Sequence, residues 1–119
     1  MGEKKPRLNV TTEGNATVVE LTDRKILDEI SISQIADQLG SLVSQTSSPR
    51  FVLDFATVAH MSSSALGMLI TLNKRIRERK GQLCLCNIQP GIYEVFVITR
   101  LNEIFDIRSS RQDAVDHLR

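Results

Sequence analysis

Leu8, Val10 and Thr12 alternate with Asn9 and Thr11, the two-residue period of a strand with one buried face. Gly14-Asn15 interrupts the alternation and Thr17-Val18-Val19-Glu20-Leu21 resumes it, so residues 8–21 predict a hairpin. Both turn residues tolerate the positive φ that a tight connection between twisted strands requires. From Asp28 the period lengthens: Ile32, Ile35, Leu39 and Leu42 fall on one face of an amphipathic helix. Its start is either a Ser31/Gln34 capping box or an Asp28 cap. The polar run Ser44-Gln45-Thr46-Ser47-Ser48-Pro49 ends it.

Arg50-Phe51-Val52-Leu53-Asp54-Phe55 is short and almost wholly apolar, which suits a central strand covered on both faces. A connector over residues 56–61 leads to Ser62-Ser63-Ser64, which opens a second helix with Ala65, Leu69, Leu72 and Ile76 turned inward. Lys74, Arg75, Arg77, Arg79 and Lys80 crowd its end, where cations complement the helix dipole, and Gly81 is placed to cap it. Residues 83–86 predict a buried strand. Pro90-Gly91 starts a short helix through Tyr93, Val95, Phe96 and Ile98. Ile104-Phe105-Asp106-Ile107 predicts a last short strand and residues 111–118 a terminal helix. The order β-β-α-β-α-β-α-β-α describes one α/β domain over residues 8–119, preceded by a polar, flexible stretch at 1–7.

Composition narrows the function without choosing it. A chain of 119 residues, 41% hydrophobic and 24% charged, has the make-up of one ordinary globular domain. Its net charge of +1 supplies no field for direct nucleic-acid binding, so the basic end of the second helix reads as a solvated face. No apolar run approaches the roughly 20 residues needed to span a bilayer, and the start lacks the apolar segment of a signal peptide. Cys84 and Cys86 lie two apart, on one face of a strand, and read as buried core thiols in a reducing cytoplasm. With His60 and His117 far apart in sequence they make no metal set, and no Gly-rich loop offers a phosphate cradle, so neither metal nor cofactor is expected. His60 stands close to the serines, but no G-x-S-x-G elbow surrounds them, which weighs against a serine hydrolase.

The serine triplet carries the most information. It sits between a buried strand and a helix N-terminus, at the sheet edge where α/β folds place functional surfaces. There, unpaired N–H groups and about half a positive charge favour an added phosphate. The plain alternative is that these serines only cap the helix. The stretch Val58-Ala59-His60-Met61-Ser62-Ser63-Ser64-Ala65-Leu66-Gly67-Met68-Leu69-Ile70, preceded by the apolar strand ending in Asp54, resembles the signature of the STAS domain, the fold of bacterial anti-sigma factor antagonists. That signature is an apolar strand ending in Asp, a short connector, then Asp-Ser-[Ser/Thr]-Gly-Leu-Gly opening a helix. Ser63, Ser64, Leu66 and Gly67 match it, while Ser62 stands for the Asp and Ala65 for the first Gly.

The resemblance implies a STAS-like mixed sheet of four or five strands, with about four helices packed mainly on one face. It implies a non-enzymatic module that binds an anti-sigma factor or serine protein kinase. The position aligned with the family's phosphorylated serine is Ser63, with Ser62 and Ser64 as alternatives. Ala59, His60, Met61, Ser62, Ser63, Ser64 and Gly67 would form the partner surface. Members that act as scaffolds or transporter-associated subunits, without phosphorylation, are the alternative function.

Overall fold

The computed structural model describes residues 8–118; the expected flexible stretch at 1–7 lies outside them. Strand β1 (Leu8–Glu13) turns at Gly14, whose φ of +61° is the left-handed conformation the hairpin needs, and pairs antiparallel with β2 (Ala16–Leu21). The two-residue β3 (Lys25–Ile26) then leads to α1 (Glu29–Ser44). Asp28, rather than the Ser31/Gln34 box, caps this helix: its carboxylate accepts the Ser31 N–H at 2.9 Å. Strand β4 (Arg50–Asp54) is followed by another two-residue strand, β5 (His60–Met61), and by α2 (Ser63–Glu78). The remainder is β6 (Gln82–Cys86), α3 (Pro90–Ile98), a single 3₁₀ turn (Leu101–Glu103), β7 (Asp106–Arg108) and α4 (Arg111–His117).

The five-stranded mixed sheet has the order β1-β2-β4-β6-β7, parallel throughout except for β1. Alternation along β4 explains the layers. Phe51 and Leu53 join the core beneath α1, α2 and α3, while Val52 faces Ala114, Val115 and Leu118 on the side of α4. Three of the four helices thus cover one face, and Leu53 is wholly buried at the centre of the sheet. Cys84 and Cys86 are free and buried under α4. Burial foremost pushes their thiols up, to about 11 and about 12, so both stay protonated and unreactive at neutral pH.

Three expectations need correction. The last strand is Asp106–Arg108, two residues later than the apolar run suggested, because Phe105 leaves the sheet to stack edge-on against Phe96 at 5.9 Å. The connector at 56–61 is not all loop, since β5 pairs in parallel with β3. Gly81 does not supply the left-handed residue that ends α2; Lys80 does, with φ 60°. The Lys80 and Gly81 N–H groups bond back to the carbonyls of Arg77 and Ile76 at 2.9 and 2.8 Å, a Schellman ending. Gly81 is needed for a different reason, because a Cβ there would collide with the Pro49 carbonyl oxygen.

Candidate functional site

The connector after β4 is anchored at both ends. At its start buried Asp54 accepts, through its carboxylate, the Ala56 N–H at 2.9 Å and the Asn87 amide at 3.0 Å. Arg111 on α4 donates to the same carboxylate from Nε at 3.1 Å and Nη2 at 2.8 Å, and reaches Glu13 at 3.4 Å. Burial alone would raise the pKa of Asp54. Hydrogen bonds from Asn87, Ala56 and Arg111, with the Arg111 charge, outweigh it and hold the group below its ordinary value. At its far end, the Ala59 and His60 N–H groups both bond to the Arg24 carbonyl, at 2.8 and 3.1 Å, and the Ser62 N–H to that of Ile26 at 3.0 Å. Wholly buried Val58 and Ile26 pin the two short strands to the core.

This scaffold presents the serine triplet. Ser62 is the N-cap of α2, and its hydroxyl accepts the Ala65 N–H at 3.2 Å. The capping reading therefore holds for Ser62. Ser63 and Ser64 are the first two residues of the helix and both are exposed. Ala65 is helical and fully buried, so no glycine is required where the family pattern has one. Gly67 is exposed, and a Cβ built on it meets nothing within 4 Å. Its own fold has no steric use for this glycine.

Beside the triplet runs a groove of about 360 Å³, bounded by Met61, His60 and Ala59 of the connector, Leu66 of α2, Leu27, and Ile92 and Val95 of α3. The groove thus brings Ala59, His60 and Met61 together, while Ser62, Ser63 and Ser64 follow them in the chain and are not part of its lining. His117 lies elsewhere, at the end of α4 against Asp106 and Arg108. Among the described residues, no group of three or more His, Cys, Asp or Glu could hold a metal ion, and no helix is long and apolar enough to cross a membrane.

Sequence reasoning missed the contribution of α3 and Leu27. Only Ile92 and Phe96 of α3 are buried, whereas Tyr93, Val95, Val97 and Ile98 are 40%, 40%, 46% and 81% exposed. Ile92 and Val95 line the groove, and the helix leaves further apolar side chains exposed outside it. The available signal was the near absence of polar residues between Pro90 and Ile98, which no single buried face explains.

Comparison with known proteins agrees with this geometry. BtrV of Bordetella bronchiseptica is 29% identical over 89 residues, 75% of this chain and 76% of its own. The anti-sigma-B factor antagonist of Bacillus subtilis is 26% identical over 108 residues, 91% of this chain and 97% of its own. An anti-sigma-factor antagonist domain protein from Planctomyces limnophilus superposes with a TM-score of 0.85 at 25% identity, covering 93% of this chain and 97% of that one. The family model for the STAS domain matches residues 7–114, with the serine triplet and its anchored connector inside the match, and the chain belongs to that family.

Proposed function

We propose that this domain is an anti-sigma factor antagonist whose partner, an anti-sigma factor or serine protein kinase, docks on Ala59, His60, Met61, the serine triplet and the exposed side of α2 around Gly67. The observation that carries the reading is the exposed Ser63, in the first turn of α2, two residues after Met61, which with Ala59 and His60 lines a groove. An apolar groove rimmed by polar groups suits protein association. A phosphate on Ser63 adds about −1.5 to −2 charge to that surface without touching the core. One like-charge clash at a desolvated interface costs several kcal/mol, about 10²-fold or more in affinity. Binding competition of this kind frees a sigma factor and takes place in the cytoplasm, and the domain acts without catalysis of its own. Support comes from the antagonist relatives and from a structural neighbour, the Bacillus cell fate determinant SpoIIAA, solved in a phosphorylated form and sharing the fold with a TM-score of 0.71.

The test is to incubate the domain with the kinase that co-purifies with it and ATP, then locate phosphate by mass spectrometry. Phosphate on Ser63, loss of partner binding on its addition, and a Ser63→Ala variant that binds but resists release are the expected results. Ser63→Asp, with about one charge, should weaken binding only in part. Phosphate on Ser62 or Ser64 moves the switch by one residue. No phosphate, from a kinase active on another substrate, favours a constitutive scaffold or transporter-associated role, for which Ser62 in place of the family's Asp is the motivating feature.

A further inference from the structure

Between α1 and α2 lies a crevice of about 220 Å³, away from the groove beside Ser63. Buried Leu39 and Leu72 form its floor and half-buried Met68 one wall. At its rim the Arg75 guanidinium rests against Gly40, so close that a Cβ on Gly40 would stand 3.0 Å from Nη1. Glycine is unfavourable inside a helix, and Gly40 sits in the interior of α1 without a positive φ to justify it. Its use is to admit the guanidinium. The neighbouring Arg79 donates to the carbonyls of Ser44 and Thr46, and Arg111 pairs with Asp54 and Glu13. Arg75 has no such ion pair among the described residues.

We propose that this crevice binds a small amphiphile with a single anionic head, its alkyl chain lying on Leu39, Met68 and Leu72 and its head taking the N–H groups of Arg75. The planar guanidinium offers paired donors that match a carboxylate or phosphate head. The apolar floor and wall lie directly beside the guanidinium, so a short alkyl chain and an anionic head are held together there. The inference does not depend on docking or phosphorylation at Ser63.

The test is a titration of the whole chain, followed by amide NMR, with octanoate, octan-1-ol and octylammonium as probes. Octanoate should shift amides along the facing sides of α1 and α2, around Leu39, Gly40, Leu72 and Arg75, with a Kd below about 1 mM. Octan-1-ol should bind about 10-fold more weakly, and octylammonium more weakly still. Arg75→Gln should lose about 10-fold for octanoate while leaving octan-1-ol unchanged. Gly40→Ala, which displaces the guanidinium, should do the same, with folding of both variants checked by circular dichroism. Equal affinity for octanoate and octan-1-ol overturns the proposal. So do shifts that bypass the α1–α2 seam, or an Arg75→Gln protein that binds octanoate as well as the wild type.

Discussion

Replacing Asp54 by Asn is expected to cost about 3 kcal/mol at neutral pH and far less in acid. The carboxylate accepts four hydrogen bonds, from Ala56, Asn87 and two nitrogens of Arg111, at 2.8–3.1 Å. Asn keeps the volume but turns one acceptor into a donor, which then faces a donor, and it leaves the Arg111 charge with Glu13 alone. Breaking one partner of a buried ion pair costs about 3–5 kcal/mol. The lower end applies because the Arg111 side chain is 34% exposed and is partly compensated by water. Because the folded pKa of Asp54 lies below its ordinary 3.8, its contribution is present in full above that value and is lost as the pH falls through the lower, folded one. Urea titrations of wild type and Asp54→Asn from pH 7 to the lowest pH at which both fold would measure the gap. It should stay constant down to about pH 5 and narrow below the unfolded value. A gap under about 1 kcal/mol at pH 7, or one that persists undiminished in acid, would refute the account of this network.

Other substitutions probe the frame that holds the site. Leu69, fully buried on α2, should lose about 2–5 kcal/mol on replacement by Ala and under about 1.5 by Met, read from denaturant midpoints. Ser62→Ala removes the hydroxyl that caps α2 and should cost about 1 kcal/mol, measured the same way. Two glycines should respond with opposite signs in thermal melts. Gly81→Ala drives a methyl group against Pro49 and Ile76 and should destabilise by about 1–3 kcal/mol, whereas Gly67→Ala enters open space and should stabilise by about 0.5–1.

Elements with a sustained period were legible in the sequence. The inward stripe of α2 and the doubly apolar β4 are found where the spacing puts them, because burial on one or two faces leaves a pattern several residues long. Strands β3 and β5 hold two residues each, too few for any period. The Asp54–Arg111 pair spans 57 residues, and nothing local to either side chain announces the other. In α3 the difficulty was reversed: a helix apolar all round has no face to read, so only packing reveals that Ile92 and Phe96 go inward. The final strand was misplaced because apolar character marks burial, and Phe105 is buried through Phe96 instead of through the sheet.

Ser62 stands where the family pattern has an aspartate, and the exchange lets capping be tested apart from charge at this position. As an N-cap, Ser is about as effective as Asp, and the 3.2 Å bond to the Ala65 N–H shows the cap intact. What the exchange removes is a negative charge beside Ser63. Ser62→Asp should therefore alter stability little, by the roughly 0.3–1 kcal/mol that an anion gains at a helix N-terminus. If the carboxylate orients the acceptor hydroxyl or is recognised by the kinase, the same variant should raise the rate of phosphate transfer to Ser63 well beyond any effect on folding. A faster rate at unchanged stability assigns the charge to the switch. An unchanged rate leaves capping as the whole function of this position, and Ser62 is then a neutral replacement.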